Sequence, residues 1–388
     1  LKGYFGIMRA SIRSITSLIA FLLVLTAPAV SHGYKLYLRK SRIHETMTEL
    51  SAACFADARA AGRAVESCKG YLEIAQGAER PERQGLAIGD LRITGAPLIY
   101  RDLKIAVRWP DDPQRKLRGV RGVRSGVNLV AAFGAHGYCS RYRGKTVAQA
   151  GLLCASHYGD MQFLHAMASS ATETTKETRE KALAWAKFAY DYARGDIPDD
   201  TLLCAALENY PSIRLALSGG EESMICKGND RFSPRTVGQY FGFECRRMFS
   251  SRRCLITVPA RERRLAALGA VLHLIQDSYS QGHVQRGHCG EASKAPQATI
   301  RLGPVERFLD YGRQRGKAHA KSDDWPTTEL SPQATDHPVV AGARVLEMFA
   351  ENKSSDALVG YLGSRVLPLA EPLEHEASGA GDCYERRR

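Results

Sequence analysis

RERRLAALGAVLHLIQDSYSQGHVQRGH, residues 261–288, is the stretch on which the reading of this chain turns. Leu265, Leu268, Leu272 and Ile275 recur at helical spacing behind a charged first turn, with no proline after Pro259, and this spacing predicts a helix. The segment ALGAVLHLI marks it as a core helix. His273 and Asp277 stand four residues apart, so their side chains lie one above the other on one face. Gly282 offers the chain a way out of the helix, and His283 follows at once. Two imidazoles and a carboxylate on a turning segment can close around a metal, and a core helix has little other reason to put them beside its apolar stripe.

A His-x3-Asp pair on its own is often no more than a hydrogen-bonded structural pair. Here the spacing recurs at His319 and Asp323 in KAHAKSD, and two such pairs favour a polynuclear site. Imidazole and carboxylate ligands without thiolate suit zinc, although iron or manganese could use the same set.

Working outward, the N-terminal side argues compartment. Met8 is followed by Arg9 and Arg13, then by the apolar run Leu18 to Leu25, then by TAPAVS. This is the layout of a secretory signal peptide over residues 1–31, cleaved after Ala29 or Ser31, and the run is too short to span a bilayer. The expectation is a secreted or periplasmic monomer without a transmembrane anchor in its mature form. The ten cysteines all lie beyond residue 31, as expected of a disulfide-bonded exported chain, and no C-x2-C pair offers a thiolate zinc site. The formal net charge is +13, and loss of Lys2, Arg9 and Arg13 with the leader would leave +10. Such an excess favours encounter with anions, phospholipid surfaces and nucleic acid alike.

The remaining segments supply further candidates. Residues 41–65 are alanine-rich with helical spacing, and His44 falls in the first turn, where the helix dipole disfavours its protonated form. Residues 70–126 show weak periodicity, and the PERQG and RWPDDPQRK stretches within them read as loops, the second holding Asp111 and Asp112 between two prolines. Residues 145–170 read as a helix interrupted at Gly159, carrying His157 and Asp160 at a spacing that lets the carboxylate orient the imidazole. His165, among Phe163, Leu164 and Met167, reads as a core histidine or as one that orients a ligand. Residues 175–194 form a long helix ended by Gly195. Residues 202–207, 304–311, 339–350 and 356–367 also look helical. Residues 196–253 form a cysteine-rich insert, and the polar tail over 376–388 reads as frayed. With no sustained alternation, no glycine-rich phosphate loop and no G-x-S-x-G, the fold class is all-α: one domain over 32–375 with long loops.

Taken together, His44, HYGD from His157, HLIQDSYSQGH from His273 and HAKSD from His319 resemble the zinc-dependent phospholipase C and S1/P1 nuclease superfamily, closer to the bacterial phospholipase C branch. The resemblance implies a mostly helical domain binding three zinc ions in a cleft. Matched onto this sequence, His273, Asp277 and His283 correspond to the superfamily's H-x3-D-x5-H element and His319 and Asp323 to its closing pair. His157 and His44 correspond to single ligands, and Asp111 to a loop carboxylate that follows Trp-x in the nuclease branch, as Trp109 and Pro110 provide here. Asp112 rivals Asp111, and either could orient a water. The implied scheme has Asp277 bridging two ions, with His157, His273 and the loop Asp on one and His44 plus the chain's N-terminus on the other; His283, His319 and Asp323 hold the third. The family uses an N-terminal tryptophan as a chelate, which this chain lacks; His32 would take that place after cleavage at Ser31. The implied activity is hydrolysis of the glycerol-side phosphodiester of glycerophospholipids, with phospholipid or a membrane surface as transient partner. The alternatives are a single-strand nuclease with nucleic acid as partner, and a non-enzymatic structural or adhesive helical module.

Overall fold

The computed structural model describes residues 43–66, 83–113, 132, 138–219, 235–242, 258–286, 299–300, 303–314, 319, 322, 327–328 and 337–381. The expected leader, His32, Asp323, much of the cysteine-rich insert and the end of the tail lie outside them. In chain order the elements are α1 (Ile43–Ala60), β1 (Ala87–Ile93), β2 (Ala96–Ile99), α2 (Tyr100–Ala106), α3 (Val147–Ala150), α4 (Leu152–Tyr158) and α5 (Thr175–Arg194). There follow α6 (Leu203–Ala206), α7 (Pro211–Ser218), α8 (Val237–Gly242), α9 (Ala260–Asp277), β3 (Val284–Gln285), β4 (Thr299–Ile300), β5 (Arg307–Phe308), β6 (Thr327–Thr328), α10 (Pro338–Ala350) and α11 (Ser355–Tyr361). The fold is all-α, with long helices, loops and three two-stranded sheets among the described residues. No helix among those residues is long and apolar enough to cross a membrane.

Helix α9 is the centre. It packs against α5, α2, α8, α10 and α1. Every residue from Leu265 to Asp277 is buried, so the helix is enclosed on all sides rather than along one apolar stripe. Its charged first turn lies at the rim, where Arg261 reaches Asp102 (2.5 Å) and Arg263 reaches Asp199 (2.6 Å). Two glycines mark close approaches. A Cβ on Gly269 would stand 2.4 Å from the carbonyl carbon of Ala106 and 2.6 Å from the nitrogen of Val107, so α9 rests directly on the C-terminal end of α2. A Cβ on Gly342 would meet Ser51 Oγ at 2.4 Å, which brings α10 equally close to α1.

Helix α5 has the signals its sequence advertises. Thr174 caps it in a reciprocal arrangement with Glu177, and Gly195 ends it at φ 99°. Its Trp185, Phe188 and Tyr192 join Trp109, Tyr240 and Phe241 in an aromatic cluster; Trp109 and Trp185 stack at 6.0 Å and Tyr192 and Phe241 at 5.0 Å. Trp109 thereby anchors the turn that carries Asp111.

Three expectations are corrected. Residues 87–99, where weak periodicity and the lack of alternation predict no strand, form an antiparallel hairpin whose turn is Thr94 (φ 49°) and Gly95 (φ 78°). A bulge between Ala87 and Arg92 puts Gly89 and Asp90 outward in succession, which hides the alternation. Residues 304–311, expected as helix, are extended up to Asp310, because Arg307 and Phe308 pair with Gln285 and Val284 and Val305 bonds to Pro368, and only at Tyr311 does a short turn, Tyr311–Arg313, begin. The described tail is pinned rather than frayed: Ser378 N donates to Glu173 O (2.9 Å) and Asp310 N to Gly379 O (2.8 Å). Oxidation is visible at Cys139–Cys154, which ties the turn at Tyr138–Tyr142 to α4; Cys54 and Cys204 are also disulfide-bonded.

Candidate metal centre

Four parts of the chain deliver side chains to one buried point. Helix α1 brings His44, the turn after α2 brings Asp111, α4 and the turn beyond it bring His157 and His165, and α9 with its exit brings His273, Asp277 and His283. Each is at most 4 % exposed, as is His319. Asp277 lies at the middle. His165 Nδ1 is 2.8 Å and His273 Nε2 3.0 Å from its Oδ2, His283 Nδ1 is 3.7 Å from the same oxygen, and His44 Nε2 is 3.4 Å from Oδ1. Across from it, Asp111 Oδ1 is 3.8 Å from His157 Nε2, 3.8 Å from His273 Nε2 and 3.9 Å from His165 Nδ1. His319 stacks on His283 with ring centroids 5.1 Å apart, so the second His-x3-Asp pair brings its imidazole to the same cluster.

The imidazoles are oriented by their other nitrogen. His273 Nδ1 donates to Val107 O (2.9 Å), His157 Nδ1 to Leu153 O (2.8 Å) and His283 Nδ1 to His165 O (2.6 Å). His44 Nδ1 donates to Gln276 Oε1 and His319 Nδ1 to Gln314 Oε1, each at 2.6 Å. The glutamines are themselves set, since Gln276 Nε2 donates to Thr48 Oγ1 and Gln314 Nε2 to Gly282 O. A proton fixed on Nδ1 leaves Nε2 as the lone pair, the arrangement of metal-binding histidines. Gly282 has a role beyond leaving the helix, which already ends at Asp277: a Cβ there would stand 2.3 Å from Ser322 Oγ and 2.9 Å from His319 Nδ1. Only glycine lets His319 in.

Both oxygens of Asp111 and Oδ1 of Asp277 are buried with no hydrogen-bond donor. A buried, unpartnered carboxylate oxygen is costly, and a cation is what it suits. Burial alone would raise Asp277, yet His273, His283 and His44 hold it well below the ordinary carboxylate range. Asp111, likewise buried, is lowered by His273, His157 and His165. Tetrahedral ligands at zinc–ligand distances of about 2.0–2.1 Å lie about 3.3 Å from one another. The donor separations here, from 2.8 to 3.9 Å, bracket that edge. Two groups of three form candidate metal sites, His44 with His273 and Asp277, and Asp111 with His157 and His165. The all-nitrogen and oxygen donor set fits zinc or a similar divalent ion.

No family model, curated protein or solved structure matches this chain. The site therefore has to be read from its own geometry.

Of the residues singled out in sequence, His44, Asp111, His157, His273, Asp277, His283 and His319 are brought together, while His32 and Asp323 lie outside the described residues. Asp111 is the carboxylate that faces the imidazoles. Asp112 is buried, and its charge acts on Tyr138, whose hydroxyl is pushed up to about 12, first by burial and then by Asp112. Two readings change. Asp160 does not orient His157, whose Nδ1 is taken by Leu153 O; burial pushes the Asp160 carboxyl up to about 7. The helix dipole does not decide the state of His44 in the metal-free chain: burial opposes its protonation, but Asp277 beside it outweighs burial and raises the imidazole to about 9. A proton and a cation compete for that nitrogen. His165, read as packing or orienting, lies inside the cluster. Its position in an apolar run concealed it, because the short turn Gln162–His165 ends at left-handed Ala166 (φ 50°) and sends the ring inward.

Proposed function

We propose that this chain is a secreted zinc-dependent phosphodiesterase of the phospholipase C type, cleaving the glycerol-side phosphodiester of glycerophospholipids. The observation that carries it is Asp277, a buried carboxylate with nitrogens of His44, His165, His273 and His283 within 3.7 Å and Asp111 opposite. The resemblance implies His44, His273, His283 and the loop Asp around Asp277 but not His165, and a cluster of this composition is suited to divalent ions held close together. Bound zinc would supply neutralisation of phosphoryl charge and a water acidic enough to attack near neutral pH. Asp277 would hold the cluster together by its charge. His44, His157, His273, His283 and His319 would coordinate through Nε2, their Nδ1 atoms being engaged by carbonyl oxygens of the backbone or of glutamine side chains. Asp111, whose second oxygen has no donor, would accept a proton from the attacking water.

Substrate selection rests on the resemblance and on the absence of a recognisable stacking pair in the sequence, since the basic excess draws the chain to anionic lipid and to nucleic acid alike. The Trp109-Pro110-Asp111 order supports a nuclease as the second reading, although Trp109 is fully buried in the aromatic core and cannot stack a base. Zinc-loaded protein should release diacylglycerol and a phosphorylated headgroup from glycerophospholipid micelles, with much weaker action on single-stranded DNA or RNA offered at matched phosphate concentration. Asp277→Asn should abolish the activity and the bound metal, because the amide keeps the size and loses the charge. Preferential conversion of nucleic acid would replace the lipid reading by the nuclease one. Wild-type protein free of metal after zinc loading would remove both.

A further inference from the structure

His165 is the one imidazole of the cluster that no motif accounts for, and its surroundings are not those of a packing residue. Its Nδ1 has three acceptor atoms around it: Asp277 Oδ2 at 2.8 Å, His273 Nε2 at 3.1 Å and Asp111 Oδ1 at 3.9 Å. The lone pair of His273 Nε2 is established, because Nδ1 of that ring donates to Val107 O. One proton on His165 Nδ1 can serve one of these neighbours, whereas a cation among them serves all. Nε2 of His165 has no hydrogen-bond partner, so the ring is not held by a conventional pair of hydrogen bonds. The backbone also commits this residue. His165 O accepts the bond that orients His283, and left-handed Ala166 follows directly.

Asp111 Oδ1 stands 3.8–3.9 Å from each of three nitrogens, His157 Nε2, His165 Nδ1 and His273 Nε2. An oxygen equidistant from three imidazole nitrogens is the outline of a four-coordinate centre. The fourth edge, His273 Nε2 to His165 Nδ1, is 3.1 Å, so these edges fall on both sides of the roughly 3.3 Å expected between donors on one zinc ion. We infer that His165 is a metal ligand, completing with Asp111, His157 and His273 a three-imidazole, one-carboxylate site for a divalent ion. This rests on the metal-centre reading above and adds to it a ligand that the spacing motifs do not contain. Asp277 is left to share its charge with the ion beside His44 while its Oδ2 stays in contact with the ring of His165.

The test compares wild type, His165→Ala and His165→Asp, each stripped with chelator, reloaded with zinc or cobalt(II), and dialysed. Metal per chain is measured by atomic emission, the cobalt spectrum is recorded, and melting temperature is taken with and without metal. His165→Ala should carry one ion fewer per chain than wild type and show a smaller rise in melting temperature on zinc addition, with an altered cobalt spectrum. His165→Asp, which restores a ligand, should regain the ion. The inference is overturned if His165→Ala binds the wild-type number of ions with an unchanged cobalt spectrum, even if its metal-free form melts lower, since that is the behaviour of a packing residue. It is also overturned if His165→Asp folds with the wild-type metal-free melting temperature and lacks the ion. Wild type without bound metal would instead sink the metal centre as a whole, so the two failures are distinguishable.

Discussion

Gly269→Ala is expected to damage both the core and the site. The added methyl would stand 2.4 Å from the Ala106 carbonyl carbon, 2.5 Å from its oxygen and 2.6 Å from Val107 N, all backbone atoms that cannot rotate away. Ordinary contact begins near 3.4 Å, so the end of α2 must retreat by about 1 Å, and overpacking of this kind costs about 1–3 kcal/mol. Val107 O accepts the hydrogen bond from His273 Nδ1 at 2.9 Å. A retreat of that size takes it beyond hydrogen-bonding range and removes about 1 kcal/mol more. Better helix propensity returns about 1 kcal/mol, leaving a net loss of about 1–3 kcal/mol. Because Val107 O orients a ligand and Asp111 follows four residues later, zinc affinity should fall by about 10–100-fold. Urea unfolding of metal-free protein and zinc titration by calorimetry read the two effects. Gly360→Ala is the control: its Cβ would meet nothing within 4 Å on α11, and the variant should be unchanged or more stable by up to about 1 kcal/mol. A Gly269→Ala protein as stable as wild type with the same zinc affinity would refute the idea that this close crossing positions the site.

Lys104→Met should cost about 3–5 kcal/mol, since it strands the buried Glu49 carboxylate, whose Oε2 now lies 2.5 Å from Lys104 Nζ; the double variant Glu49→Gln with Lys104→Met should recover most of it in urea unfolding. An equal loss in the double variant would show that the side chains matter as packing and not as a charge pair. His337 caps α10 by accepting from Val339 N, and burial lowers its imidazole to about 3. Between that value and about 6.5 the unfolded chain binds a proton that the folded chain does not, so stability falls as pH drops through this window by up to about 1.4 kcal/mol per unit. His337→Asn keeps a capping acceptor that does not titrate, and going from pH 7 to pH 5 should favour it over wild type by about 2 kcal/mol. Parallel stability curves would contradict the assignment.

Much of this molecule was legible because the same rule wrote several of its parts. Helix α5 announces itself by its cap, its period and its terminal glycine, and α9 by an apolar run long enough to be nothing else. The His273 and Asp277 pair is local, so its face follows from 3.6 residues per turn. The place of His165 beside Asp277 is not legible in sequence because its neighbours Phe163, Leu164 and Met167 belong to the core, and only the backbone reversal at Ala166 separates its ring from theirs. The hairpin over residues 87–99 was missed because a bulge broke the alternation, and residues 304–311 because their extension is imposed by partners far away in sequence. Gly269 and Gly282 look alike in sequence to any helix breaker. Their reason for being glycine is what lies across the gap.

Helix α9 is enclosed on every side along the length that bears His273 and Asp277. Few substitutions there can alter chemistry without also altering the core, and the end of α2 at Ala106 and Val107 leaves no slack at Gly269 to absorb them. A lineage built on this plan is free to vary in the segments around the cluster and constrained at its centre. New specificities would then arise by exchange of the surrounding loops, with the helix and its two acidic and basic side chains carried unchanged from one activity to the next.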